Sequence, residues 1–275
     1  MIDMIRDFAA IYKDFGAAYS DILTEIYFVL DIEFNLSKQD ILCGKVLSDT
    51  EIKNAEKLFI ERVKTGKPIQ YIVGKTFFMN DIFEVNQNVL IPRDDTQILV
   101  EQGIRVIKEY NLKSVLDIGT GSGIIAIELA KHTPASISAC DISKEALKIA
   151  QKNAKILGQK IDFFKSDLFS NVSQKYDFLI SNPPYIPPEM AKSLPREVMF
   201  EPSNALFSPS SGLYFYEKII NDAKKFLNPH GFIAFEIGIN QANEISKMLE
   251  QKFKDIKVEK DVSGIERVII AQLKL

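Results

Sequence analysis

The amino-acid sequence predicts an α/β protein, a doubly wound and mostly parallel sheet preceded by a small helical domain and a β-hairpin linker. Three observations carry this expectation. Apolar residues recur at helical spacing through about the first 75 positions. A short β-prone stretch broken by Gly74 and Asn80-Asp81 follows. Beyond it, Val/Ile/Leu-rich runs alternate with helical patterns, as strands covered on both faces by helices do.

The elements follow in order. Ile5, Phe8, Ala9, Tyr12 and Phe15 form one helical stripe ending at Gly16, and Ile22, Ile26, Val29 and Leu30 a second. Ser48 with Glu51 reads as a capping box ahead of Ile52, Ala55, Phe59 and Val63, and Gly66 and Pro68 end that helix. These stripes are the core a helical domain needs, so they carry no separate partner-binding signal. Tyr71-Ile72-Val73, Thr76-Phe77-Phe78-Met79 and Ile82-Phe83-Glu84-Val85 are β-prone. Strands are expected at 114–118, 137–142, 161–165, 177–181 and 231–237, with helices at 124–131, 145–157 and 215–227. The expected division is 1–69 helical, 70–91 linker and 92–275 α/β, ordinary sizes for domains.

Composition narrows the function. The 275 residues hold 34 Lys and Arg against 37 Asp and Glu, a net charge of -3, so nothing draws the whole chain to nucleic acid or an anionic membrane. Hydrophobic residues at 46% and charged ones at 26% match a globular chain. The N-terminal stretch is amphipathic but broken by Asp3, Arg6, Asp7 and Lys13, unlike a signal peptide, and no apolar run is long enough to span a membrane. Cys43 and Cys140 stand far apart and the two histidines, His132 and His230, flank turns, so neither a disulfide framework nor a metal site is expected. A reducing, cytoplasmic setting is the expectation.

The sharpest local motif is Asp117-Ile118-Gly119-Thr120-Gly121-Ser122-Gly123, between a strand and a helix. Ligands of open α/β sheets bind at this end of the strands, and glycines let backbone approach them closely. A dinucleotide fingerprint needs glycine where Ile124 stands, and a P-loop needs Gly-Lys-Ser/Thr; both are missing. Asp141 closes the second strand, where a carboxylate can accept from both ribose hydroxyls. Asp167, beside Leu168, follows the third and can accept from an adenine amine. Either Asp alone serves equally as a helix cap or turn residue; their order at successive strand ends is the signal. Together these residues resemble the cofactor site of S-adenosylmethionine-dependent methyltransferases. The resemblance implies a seven-stranded, Rossmann-like sheet. It also implies that Gly119, Thr120, Gly121, Ser122 and Gly123 meet the methionine end, Asp141 the ribose, and Asp167 with Leu168 the adenine.

After the fourth strand comes Asn182-Pro183-Pro184-Tyr185. The prolines make a rigid, non-helical loop; the same letters also resemble a proline-rich ligand. The rim position favours chemistry. Amide and aromatic-amine nitrogens are poor nucleophiles because their lone pairs are delocalised. The Asn182 side-chain oxygen and the Pro183 carbonyl can hold both N–H bonds, and Tyr185 can stack on the planar group. Asn182, Pro183 and Tyr185 are the catalytic candidates; Pro184 joins them in substrate binding, and Asn182 also borders the cofactor.

This motif is shared by DNA adenine-amine and glutamine-amide methyltransferases. The charge weakens a duplex-DNA substrate, and residues 1–75, with 10 Lys and Arg against 12 Asp and Glu, form no DNA clamp. Tyr71-Ile72-Val73-Gly74, Phe77-Phe78, Phe83-Glu84-Val85 and Val89-Leu90-Ile91-Pro92-Arg93 are more specific. With Glu201-Pro202, Ala205-Leu206, Gly212-Leu213, Glu236-Ile237-Gly238 and Gln241, they resemble the HemK-type methyltransferases of bacterial peptide chain release factors. That resemblance implies methylation of the glutamine in a release factor's Gly-Gly-Gln motif, the helical domain gripping the substrate; a monomer that meets no nucleic acid directly, and no membrane, is the expectation. Arg93 is a weaker substrate-binding candidate. The chain departs from the family's Pro-Glu-Thr-Glu at Asp94-Asp95-Thr96-Gln97, and from its Gly-rich stretch at Ser208-Pro209-Ser210-Ser211. The alternatives are a glutamine methyltransferase of a large-subunit ribosomal protein, the DNA adenine enzyme, and a non-catalytic scaffold. The last strands, 257–259 and 266–274, are expected from the resemblance to form an antiparallel hairpin.

Overall fold

The computed structural model describes residues 2–275, with side chains from residue 4 onward; position 1, the start of the amphipathic stretch, lies outside the described residues. Helices α1 (Ile2–Ile11), α2 (Tyr19–Phe34), α3 (Lys38–Leu42), α4 (Asp49–Thr65) and α5 (Ile69–Val73) come first, then the hairpin β1 (Lys75–Phe78) and β2 (Asp81–Glu84). After α6 (Asp95–Tyr110), strand and helix alternate: β3 (Ser114–Ile118), α7 (Ile124–His132), β4 (Ser136–Asp141), α8 (Lys144–Ile156), β5 (Asp162–Lys165) and β6 (Tyr176–Ser181). Two 3-10 turns and α9 (Ser203–Leu206) then lead to α10 (Tyr214–Phe226), β7 (Leu227–Glu236), α11 (Ala242–Glu250), β8 (Phe253–Lys260) and β9 (Glu266–Leu273).

The seven strands order as β5-β4-β3-β6-β7-β9-β8, parallel except for β9, which runs antiparallel to both neighbours. Alternation decides which core each residue serves. Val115, Phe178, Ile180, Phe232, Ala234, Val268 and Ile270 pack on one face under α6 and α7. Their neighbours Leu116, Leu179, Ile233, Phe235, Ile269 and Ala271 pack on the other against α10 and α11. Buried on both sides, these strands read as continuous apolar runs. The N-terminal helices enclose their own core around Phe8, Tyr12, Ile26, Leu30 and Phe59. Ser48 caps α4 in a reciprocal box with Glu51, and Gly66, at φ +72°, closes that helix.

Three local readings change. Tyr71-Ile72-Val73 is helical, not extended: α5 is flanked by Pro68 at its start and by Gly74 at its end, which turns left-handed at φ +80°. Burial of Ile69 and Tyr71, and a 2.5 Å hydrogen bond from the Tyr71 hydroxyl to the Val89 carbonyl, outweigh β-propensity. The hairpin turns at Met79-Asn80, with Met79 left-handed at φ +52°. Helices α6 and α11 stand where none is expected from the patterning, although α6 buries Leu99, Val100, Val106 and Ile107 at helical spacing.

Candidate active site

The glycine loop sits at the carboxyl end of β3. The amides of Gly119 and Thr120 donate to the Cys140 carbonyl at 2.9 and 3.0 Å, tying the loop to β4. Gly119 and Gly121 take φ +75° and +56°, and the place a Cβ would occupy is open at both, so the loop's backbone faces free space. Gly123 serves differently. At φ +88° it starts α7, and a Cβ there would meet Ala150 at 3.0 Å and Ile127 at 3.1 Å. It is the glycine of helix packing, and it stands behind the cleft's lining. Buried Asn153 of α8 bonds the Ser122 carbonyl (2.9 Å) and both backbone groups of Glu84 (2.8 and 3.0 Å), joining the loop to the hairpin.

Asp141 accepts from the Gly121 amide at 2.9 Å and the Ser143 amide at 2.8 Å. Burial pushes its pKa up from the ordinary carboxylate value, and those two amides oppose the shift. The helix cap itself is Ser143, whose hydroxyl accepts from Ala146, so Asp141 keeps free lone pairs toward the cleft. Asp117, fully buried, accepts from the Thr120 hydroxyl at 2.6 Å through one oxygen, while its other has no partner among the described residues. Burial raises its pKa to about 7.

Asn182 follows β6 across the cleft. The Ser181 hydroxyl donates to the Ile118 carbonyl at 2.6 Å and locks the ends of β6 and β3 together. The Asn182 amide nitrogen donates to the Thr96 hydroxyl at 3.3 Å, and Thr96 lies 2.6 Å from the buried carboxylate of Glu236. The Tyr185 hydroxyl approaches the other Glu236 oxygen at 3.5 Å, and its backbone carbonyl accepts from Gln241 at 3.1 Å. Close packing explains two more glycines: a Cβ at Gly212 would stand 2.2 Å from the Tyr185 carbonyl oxygen, and one at Gly238 2.8 Å from Gln241. Arg93 pairs with buried Glu201, which also accepts from the Ile91 amide at 3.1 Å, clamping the chain between linker and α6.

One cleft thus gathers Gly119, Thr120, Gly121, Ser122, Asp141, Asp167, Leu168, Asn182, Pro183 and Pro184. Tyr185 and Arg93 stand beside its lining. Further lining comes from residues outside the candidate site residues, including Pro92, Thr96, Ala205 and Phe215. Ile142 carries a faint one, an apolar residue directly after a strand-end Asp, and it is half exposed at the cleft. Carboxylates, free backbone and apolar walls together fit S-adenosylmethionine, which joins an amino-acid end, a ribose and a flat base. Among the described residues no acidic, His or Cys cluster could hold a metal, and no helix is long and apolar enough to cross a membrane.

A family model described as the methyltransferase small domain matches residues 94–215. The chain is 38% identical over 256 residues to a Fusobacterium nucleatum protein named release factor glutamine methyltransferase, covering 90% of this chain and 72% of that one. It is 41% identical over 226 residues to a Bacillus subtilis protein of the same name, covering 78% of each. In fold it is similar to a methyltransferase of Pyrococcus furiosus, with a TM-score of 0.53 at 17% identity over 83% of this chain and 100% of that one.

Proposed function

Because the chain belongs to the release factor glutamine methyltransferase family, we propose that it moves a methyl group from S-adenosyl-L-methionine to the side-chain amide nitrogen of the glutamine in a release factor's Gly-Gly-Gln motif. The observation that carries the reading is the Asn182 side chain, tethered to Thr96 on the cleft wall that faces the glycine loop. The cofactor, when bound, supplies an electrophilic methyl on a sulfonium. Gly119, Thr120, Gly121 and Ser122 would receive its amino-acid end, Asp141 its ribose, and Asp167 with Leu168 its base. The Asn182 side-chain oxygen and the Pro183 carbonyl would accept the two N–H bonds of the target amide. That grip aims the nitrogen and favours the positive charge that grows on it. Pro184 and Tyr185 would shape the slot, and Arg93 would steady its border through Glu201. The enzyme is expected to work as a cytoplasmic monomer on a protein substrate, without nucleic acid.

Labelled cofactor with purified release factor tests the assignment directly. Label is expected on the wild-type factor and not on one carrying Gln→Ala at the target. Equal labelling of both would sink it, and labelling of a ribosomal protein instead would move it to the sister substrate. For the cofactor end, Asp141→Asn removes the charge and one of the two acceptor oxygens. Its cofactor Kd is expected to rise about 10- to 100-fold, the worth of a charge-assisted hydrogen bond. An unchanged Kd by calorimetry would remove Asp141 from the ribose.

A further inference from the structure

We propose that Thr96 and Glu236 are positioning residues that fix which way round the Asn182 amide stands, so that the slot takes an N–H donor and refuses a carboxylate. The proposal rests on the reading that Asn182 holds the target nitrogen, and deepens it. Oxygen and nitrogen of an Asn amide differ little in shape, so only the surrounding hydrogen bonds decide their places. With its oxygen toward the target, Asn182 accepts from a glutamine amide. Turned over, it would present N–H to N–H.

The chain of hydrogen bonds runs one way. Glu236 ends β7 at 2% exposure, and as a carboxylate it can only accept. Thr96 has one hydroxyl proton, and at 2.6 Å from Glu236 it gives that proton to the carboxylate. Only lone pairs remain on Thr96 for Asn182, whose NH2 end stands 3.3 Å away. The turned-over amide would set oxygen against oxygen with no proton between them. A hydrogen bond is then lost and a polar atom left unpaired. Asn182 therefore keeps its oxygen for the cleft. A glutamate in place of the target glutamine would meet that oxygen as a second acceptor, which is specificity by repulsion. Glu236 is held in place from several sides. Tyr185 approaches its second oxygen, and the Tyr216 hydroxyl of α10 donates to its backbone carbonyl at 2.9 Å.

Protonation of Glu236 would undo the direction, since the carboxylic acid could donate to Thr96 and free the Thr96 proton for the Asn182 oxygen. The groups facing Glu236 are Asp95 and Thr96 from α6, Asn182 and Tyr185 from the loop after β6, Arg267 from β9 and Tyr216 from α10. Burial raises its pKa to about 7, Asp95 adds to the rise, and Thr96, Asn182 and Arg267 oppose it. The ionised form is the directing one, so kcat is expected to climb with pH through about 7. That limb should vanish in Glu236→Gln.

The experiment has two arms. In the free 15N-labelled protein, the side-chain NH2 signals of Asn182, identified by their loss in Asn182→Ala, are expected to titrate near the Glu236 pKa. They should shift in Thr96→Val and return in Thr96→Ser. In methyl transfer at saturating cofactor, Thr96→Val should lower kcat about 10- to 100-fold, as loss of an orienting partner does, with cofactor Kd unchanged. Thr96→Ser should restore the rate. A release factor with Gln→Glu at the target should compete at least about tenfold more weakly than the Gln form against wild type, and the gap should narrow against Thr96→Val, where the Pro183 carbonyl alone still repels the carboxylate. Asn182 signals indifferent to Thr96→Val, or discrimination undiminished by it, would overturn the proposal. If wild type labels no release factor, the proposed function falls, while the NMR arm still decides the amide's orientation.

Discussion

Asn182→Ala is expected to lower the single-turnover rate of methyl transfer about 100- to 1000-fold at saturating cofactor, the cost of removing one preorganised dipole from a reacting centre, or about 2.7 to 4 kcal/mol. The physical reason lies in the nucleophile. An amide nitrogen must give up conjugation as it accepts the methyl group, and it gains positive charge while still carrying both protons. An oxygen already aimed at one N–H strengthens its bond as that charge grows, whereas water would first have to reorient. The fold supplies the aim. Ser181 pins the strand end to β3, and Thr96 holds the other end of the amide. Since the deleted group is small and lies at the cleft, unfolding should change little. Quenched-flow transfer from labelled cofactor checks the rate, and a full rate with cofactor bound would show that Asn182 takes no part in the chemistry.

Arg62→Ala is expected to destabilise the protein by about 3 kcal/mol, the scale for breaking a buried pair by removing one partner. Arg62 lies on α4 at 4% exposure and spreads its guanidinium over several acceptors. It forks onto Glu25 of α2 at 2.9 and 2.7 Å, donates to the Gly66 carbonyl at 2.9 Å, and lies 4.6 Å from the centre of the Phe15 ring. It also reaches Glu197 at 2.6 Å, in the 3-10 turn Arg196–Phe200 that follows the Asn182 loop. Glu197 is half exposed, so that contact contributes little energy but joins the helical layer to the cleft side. Without Arg62, Glu25 keeps, among the described residues, the Tyr12 hydroxyl at 3.0 Å. Lysine cannot reproduce the fork, so Arg62→Lys should recover less than half of the loss. Urea unfolding measures both. A loss under about 1 kcal/mol, the range of an exposed pair, would mean that water screens this cluster.

Much of the catalytic layer is legible because its signals are local. The strands from β3 to β7 announce themselves as apolar runs, since alternate residues enter two different cores. The glycine loop, Asp141 and Asn182 are legible for a related reason. Each follows directly on a strand, and strand ends share one rim. Gly123 shows the limit, because its letter fits the loop motif while its space is taken by Ala150 and Ile127. At Tyr71-Ile72-Val73 the letters favour extension, and burial between Pro68 and Gly74 turns them into a helix.

By itself the sequence determined the α/β class, the order of the motifs along the rim and, through the HemK-type resemblance, the chemistry they serve. Periodicity, turn residues and capping boxes act over a few positions, so they survive in a linear string. The tertiary structure alone decided how Asn182 is held. Thr96 and Glu236 are 140 residues apart and meet only because α6 packs against the end of β7. No single position among Thr96, Asn182 and Glu236 carries a sign of the contact, because the direction of a hydrogen bond belongs to the pair of groups that folding brings together.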